Sequence, residues 1–345
     1  TLSSSSAASD VYKRQKMKYA IALIILMNPI LISVSGQEAD HRLFRESGMM
    51  KPFLAEMRSP AFKGELAFLN KLDQNYYAGD ISGRPLMEIH LGTRLPVYSL
   101  VNELKRIGFF TGGFIGNVLL IDMFEQTTAP VINTDYFFGF QAGLVKYLDQ
   151  PYIRNIGLLM VPVFHESTHL GDEFSLHGYQ EIPGFTRINV SYEAWEIAAV
   201  INDPGNLETN LLSAKAGFHR LWNHDRGYYA TDSLETKGME VPASTKNYAC
   251  FLQLNLQRTG GFLCSENWMQ VISAEVSNRL KFSYEPGFPE KRTWNINLYL
   301  GWKCLVEGSG RNIGFFVRYY RGINPHGQFR NTDGFRYVAL SIVYH

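Results

Sequence analysis

Residues 293–303 read T-W-N-I-N-L-Y-L-G-W-K. Trp294, Ile296, Leu298, Leu300 and Trp302 alternate with Thr293, Asn295, Asn297, Tyr299, Gly301 and Lys303. Alternate residues of an extended strand share a face. One face is therefore apolar with a tryptophan at each end, and the other is mostly polar. The pattern recurs. Leu252, Leu254 and Leu256 stand against Gln253, Asn255 and Gln257. Tyr136, Phe138, Phe140 and Leu144 stand against Asp135, Gly139, Gln141 and Gly143. Ile188, Val190 and Tyr192 stand against Arg187, Asn189, Ser191 and Glu193. The chain reads as all-β.

Alternation alone fits two architectures. A soluble sandwich buries the apolar faces. A transmembrane barrel turns them to lipid and keeps the polar faces inside. The strands are long enough for tilted spans, longer than a typical sandwich strand. Large aromatics mark strand ends like an interfacial girdle, and the aromatic content is 14%. These features favour a transmembrane antiparallel β-barrel of about 12 strands. The strands are expected near 84–92, 94–104, 112–125, 134–148, 154–169, 185–201, 211–224, 245–258, 266–280, 292–304, 312–321 and 334–345, and one continuous strand could replace the first two. With the C-terminus periplasmic, short links alternate with longer outward ones at 171–184, 225–244 and 322–334. A secreted β-sandwich binding module is the more distant alternative.

Four parts are expected. Residues 1–16 look like the in-frame translation of a sequencing-adapter oligonucleotide. Residues 17–36 have the positive start, apolar stretch and small residues of a signal peptide. Residues 37–81 read as an N-terminal periplasmic segment with a short helix near 62–72, and 82–345 as the barrel. Of 33 Lys+Arg and 32 Asp+Glu, four and one precede Gln37. The remaining chain is near neutral, at about −2, and nothing suggests a nucleic-acid partner. Cys250, Cys264 and Cys304 have neither a disulfide framework nor zinc spacing.

Residues 165–173 read H-E-S-T-H-L-G-D-E. His165, Ser167 and His169 fall on one face of a strand, with Asp172 and Glu173 just beyond it. Parity groups them with Asp135, Arg187, Asn189, Ser191, Glu193 and His219, on a face expected to be the lumen. A serine hydrolase needs a nucleophile, a base and a group that orients the base. Ser167, His165 or His169, and Asn189 or Asp135 would supply them. Arg187, Ser191, Glu193 and His219 would contribute to binding. Asp172 and Glu173 are hard oxygen ligands suited to Ca²⁺, and hydrolysis by metal-bound water is a variant. The bland reading of the same residues is a hydrogen-bonded plug filling a narrow lumen. Asn324–Phe329 reads as a structured outer loop shaped by Pro and Gly.

Several segments together carry a family resemblance. They are K-P-F-L-A at 51–55, the G-x-x-x-P-V-Y of 92–98, N-T-D-Y-F-F-G at 133–139, residues 165–174, R-I-N-V-S-Y-E at 187–193 and G-I-N-P-H-G-Q-F at 322–329. In this order the chain resembles the bacterial domain of unknown function 1207 family. The resemblance implies a Gram-negative outer-membrane barrel, inserted by the barrel-assembly machinery, with no established activity. A looser likeness is to outer-membrane phospholipase A and lipid A 3′-O-deacylase. In the phospholipase, H-x-S supplies base and nucleophile, and an Asn on the next strand orients the His. Here His165-Glu166-Ser167 matches H-x-S, and Asn189, after Arg187, could stand for the Asn. The connecting loop is longer here, and Thr168-His169 replaces the Asn-Gly after that family's serine.

Two functions follow as expectations. One is an outer-membrane barrel that hydrolyses or binds lipid or lipopolysaccharide acyl groups at its outer rim. The other is a non-enzymatic structural or narrow transport barrel whose polar cluster plugs the lumen.

Overall fold

The computed structural model describes residues 39–44, 50–69, 85–123, 129, 131–171, 188–204, 211–221, 228–230, 248–259, 268–281, 291–306, 311–326 and 334–344. They form β1 (Ala39–Leu43), β2 (Phe62–Leu69), β3 (Pro85–Asn102), β4 (Ile107–Ile121), β5 (Val131–Tyr147), β6 (Asn155–Leu170), β7 (Ile188–Ile201), β8 (Leu211–Leu221), β9 (Tyr228–Ala230), β10 (Tyr248–Thr259), β11 (Trp268–Lys281), β12 (Lys291–Val306), β13 (Arg311–Gly322) and β14 (Phe335–Tyr344). Every pairing is antiparallel. No helix of the described residues is long and apolar enough to cross a membrane.

The sheet closes. β3 pairs with β4 on one edge and with β2 on the other, and β2 pairs with β14. Twelve strands make the wall: β2 to β8 and β10 to β14. Followed through its cross-strand partners once round the barrel, Asn102 leads back to Pro85 on the same strand. That return shift is the stagger that closure imposes.

The expected count of twelve holds with a different membership. One continuous strand, β3, replaces the pair expected at 84–92 and 94–104. The twelfth member is β2, where the sequence suggested a short helix near 62–72. Alternating Phe62, Gly64, Leu66 and Phe68 fill the outward positions, and Lys63 and Glu65 point inward and are buried.

Burial decides which side is which. On β14, Tyr337, Ala339, Ser341 and Val343 are buried inside, while Val338, Leu340, Ile342 and Tyr344 are exposed outside. On β10 to β12 the inward residues include Gln253, Asn255, Gln257, Ser273, Glu275, Asn295 and Asn297, and the outward ones include Leu252, Leu254, Ile272, Ile296 and Leu300. A polar interior inside an apolar exterior is the arrangement of a membrane-spanning barrel and the reverse of a sandwich. Trp294 and Trp302 stand outward near the two ends of β12, as interfacial aromatics do.

Large rings inside the wall lie over glycines. Gly116 is paired with Phe137, Gly139 with Phe114, and Gly143 with Phe110. A Cβ on Gly116 would sit 2.2 Å from Phe137 Cζ, and one on Gly139 would sit 2.4 Å from Phe114 Cζ. A ring covering the glycine across the ladder fills the space of the missing side chain.

The lumen is not empty. β1 and β2 pair with the same edge of β3, at 98–102 and 85–90. Between them the chain turns inward, and residues 50–61 occupy the barrel interior. Phe53, Leu54, Ala55, Met57, Ser59 and Ala61 are buried there. Ile323–His326 folds in from the other end, and the rest of the expected outer loop, 327–329, lies outside the described residues. Ile323 N donates to Asn295 Oδ1 at 2.7 Å, and His326 Nε2 is 3.3 Å from Glu88 Oε2.

Candidate functional site

The H-E-S-T-H motif straddles the wall. The ladder of β6 with β7 shifts register between Val161 and Phe164. Pro162, which has no N–H to give, lies within that irregularity, and the inserted residue reverses the facing of everything beyond it. Leu159 and Val161 are inside below the shift, and Phe164, Glu166 and Thr168 are inside above it. His165, Ser167 and His169 therefore face outward. The luminal position expected for these three residues is corrected by this bulge.

Outside, Ser167 Oγ is 3.2 Å from His169 Nε2. His165 stacks on Phe138 at 4.9 Å, and Tyr136 meets His169 edge-on at 5.8 Å. Glu193, directly across the ladder from His165, places Oε1 3.8 Å from Nδ1. This row lies near the end of β6 that leads into the long 171–187 connection, the outward side by loop length. Glu193, not the Asn189 that the phospholipase likeness pointed to, is the cross-strand neighbour of His165. Asn189 pairs instead with Tyr229 on β9, and Ser191 pairs through its backbone with Ser167. Arg187, Asp172 and Glu173 lie outside the described residues, so the Ca²⁺ expectation attached to the two acids does too.

Inside, the polar residues form separate groups. Asp135 is luminal as expected, but it is separated by the wall from the serine and histidines. Arg58 Nη2 lies 2.7 Å from Glu166 Oε1 and 3.1 Å from Asp135 Oδ2. Tyr192 OH donates to Glu166 Oε2 at 2.5 Å. His219, also luminal, has Nδ1 3.9 Å from Glu196 Oε2, and Lys215 Nζ bridges Glu196 at 3.0 Å and Glu56 at 3.2 Å. Arg58, Glu166 and Tyr192 were not among the residues singled out in the sequence. Their traces there were Glu166 inside the H-E-S motif, Tyr192 on the apolar face of R-I-N-V-S-Y-E, and the K-P-F-L-A segment leading towards Arg58.

A third group fills the β2–β3–β13 side. Arg318 donates to Glu65 and, at 2.9 Å, to Glu88 Oε1. Tyr299 OH and Ser341 Oγ donate to Glu65 Oε1 at 2.7 and 3.0 Å. Ligand atoms of Glu65, Glu88 and His90 lie within 4.8 Å of one another. Arg318 already matches the charge that a cation would need there, so the set does not fit a metal ion.

These features define a class: a closed, twelve-strand antiparallel barrel of the outer-membrane type, with a filled lumen and a Ser–His pair on its outer wall. Residues 39–207 match the family model described as Protein of unknown function (DUF1207). The match bears out the family likeness, and the 322–329 motif lies beyond it. No curated protein matches the chain. Among solved structures, it is similar to the translocator domain of autotransporter NalP from Neisseria meningitidis, with 10% identity, 98% of each chain covered and TM-score 0.39. It is also similar to outer membrane phospholipase A from Escherichia coli, with 9% identity, 83% of this chain and 92% of that one covered and TM-score 0.46. A Pseudomonas aeruginosa FadL homologue matches with 13% identity, 82% and 74% coverage and TM-score 0.35.

Proposed function

We propose that this chain is an outer-membrane barrel that hydrolyses an acyl ester of membrane lipid or lipopolysaccharide at the outward pair Ser167–His169. The observation that carries this reading is the 3.2 Å contact between Ser167 Oγ and His169 Nε2 on the apolar side of the wall. The row is polar on a face otherwise given to Leu, Ile and Phe, although His165 and His169 also pack on Phe138 and Tyr136. The reading is supported by the row's position near the end of β6 that leads into the long connection, the side on which an outer-leaflet lipid would meet the barrel.

The chemistry follows from the pair. Ser167 Oγ attacks the acyl carbon while His169 Nε2 takes its proton, and the same nitrogen returns it to the leaving alkoxide. Water then repeats the step and frees the fatty acid. Phe138 and Tyr136 offer apolar surface to the acyl chain, and His165 beside Glu193 offers a polar contact to the headgroup.

The test uses purified protein refolded in detergent, given phospholipid and lipid A with and without Ca²⁺. Acyl release that Ser167→Ala and His169→Ala abolish is the expected result. No release, or release undiminished in both variants, sinks the reading.

A further inference from the structure

Arg58 sits in a site built for a cation. Its guanidinium contacts Glu166 Oε1 through Nε at 3.1 Å and Nη2 at 2.7 Å, Asp135 Oδ2 at 3.1 Å and Pro325 O at 2.8 Å. Glu166 and Asp135 are 1% and 0% exposed. Each acid is oriented from behind. Tyr192 OH donates to Glu166, and Asn133 Nδ2 donates to Asp135 Oδ1 at 3.0 Å. The cradle opens on a luminal cavity of about 170 Å³, which Arg58, Tyr192 and Pro325 help to line. Gln141 and Gln253 line it too, and Gln141 Nε2 and Gln253 Oε1 are buried with no hydrogen-bond partner among the described residues. Buried polar atoms of native proteins are generally paired with protein or solvent, so the cavity is furnished for a polar occupant.

The residue filling the cradle belongs to a segment that the wall does not need. The twelve strands close through their own ladder, and residues 50–61 contribute no strand to it. Apolar packing and polar contacts hold the segment in place. Met50 and Phe53 cluster with Phe110 and Leu159, and Leu54 and Ala55 with Met269 and Phe316. Arg94 donates to Met50 O at 2.8 Å, Asn297 to Ala55 O at 2.7 Å, and Lys63 to Leu54 O at 2.9 Å. Ser273 and Glu275 accept from the amides of Ala55 and Met57. Water can replace each of the polar contacts if the segment withdraws, and exposing the apolar ones is the cost that keeps the gate closed at rest.

We propose that the barrel is a gated passage for cationic solutes. Residues 50–61 are the gate, and Arg58 holds the place of a guanidinium or ammonium group on the solute. Withdrawal uncovers Asp135, Glu166, Glu196, Glu275, Glu65 and Glu88 against Lys63, Arg94, Lys215 and Arg318, a lining with an excess of acid that favours cations. A solute carrying a guanidinium competes with Arg58 for the same carboxylates, so binding and opening are coupled. This proposal is independent of the Ser167–His169 reading, because the two sites lie on opposite sides of the wall.

The experiment records currents from the purified full chain in planar lipid bilayers with KCl. Arg58→Ala is expected to raise the mean current by about tenfold or more over the wild type, with K⁺ preferred to Cl⁻. Millimolar guanidinium chloride is expected to block that current by refilling the cradle. Asp135→Asn with Glu166→Gln is expected to conduct without cation preference and without block. A folded Arg58→Ala variant with wild-type current, a Cl⁻ preference or insensitivity to guanidinium overturns the proposal. If that variant fails to fold, Ala55→Cys with Ser273→Cys, in a background of Cys250→Ser, Cys264→Ser and Cys304→Ser, pins the gate to β11. With Asp135→Asn and Glu166→Gln added to release Arg58, the oxidised protein should be silent and the reduced protein should conduct. Equal currents in the two forms overturn the proposal as well.

Discussion

Glu166 and Ser167 are consecutive residues on opposite sides of the barrel wall. Glu166 holds Arg58 in the lumen at 2.7 Å, and Ser167 meets His169 outside at 3.2 Å. Two functions can be carried by two adjacent residues because strand side chains alternate.

The separation is testable by activity. Ser167→Ala removes the nucleophile and should lower acyl release by about 10³-fold or more, with no change in unfolding midpoint. Glu166→Gln keeps the outer row intact and should leave acyl release within about threefold, while weakening the hold on Arg58. Acyl release and urea unfolding, measured on both variants, should move in opposite patterns. Equal loss of release in both would break the link to the outer face.

Facing is testable directly. A fluorophore on Ser167→Cys in liposomes should be quenched by brominated lipid, and one on Thr168→Cys should not. Native Cys250, Cys264 and Cys304 are first replaced by serine. The opposite pattern would mean that no bulge reverses β6 at Pro162.

The Arg318 group is a stability element. Arg318 is buried and serves Glu65 and Glu88 together. Arg318→Ala leaves two carboxylates uncompensated inside the barrel and should cost about 3–5 kcal/mol. The urea midpoint in phospholipid vesicles measures this, and an unchanged midpoint contradicts it.

One turn residue ties the short-loop end together. Asn202 has φ of 55°. Its Oδ1 accepts from the amides of Arg154 and Asn155, and its Nδ2 donates to Tyr152 O and Leu212 O, both at 2.8 Å. Asn202→Gly relieves the backbone strain but loses these bonds, and Asn202→Ala loses both. The expected order of unfolding midpoints is wild type, then Gly, then Ala, with Ala lower by about 2–3 kcal/mol.

The glycine–ring pairs make a further prediction. Gly139→Ala places a methyl against the Phe114 ring and the Val163 carbonyl, 2.9 Å away. Backbone cannot yield as a side chain can, so the variant should lose about 1–3 kcal/mol. Phe114→Ala should cost more, by emptying the luminal cluster that it shares with Phe137 and Phe164.

Alternation such as Trp294 to Trp302 was enough to determine most strands and an all-β wall, because period-two patterning is local to each segment. The count of twelve came out right only because one strand expected as two offset β2, which was read as a helix. It also placed Asp135, Asn297 and Gln253 on the polar faces. Facing beyond Pro162 was not legible. A single inserted residue reverses parity, and its place depends on how β6 meets β7 in the closed sheet. The role of residues 50–61 was equally hidden. Nothing local distinguishes K-P-F-L-A in a periplasmic segment from the same residues inside a barrel, and only the positions of Glu166, Asp135, Ser273 and Asn297 around the lumen decide it. The sequence by itself determined the barrel. The tertiary structure decided which residues face lipid, which face the lumen, and that the lumen holds the chain's own Arg58.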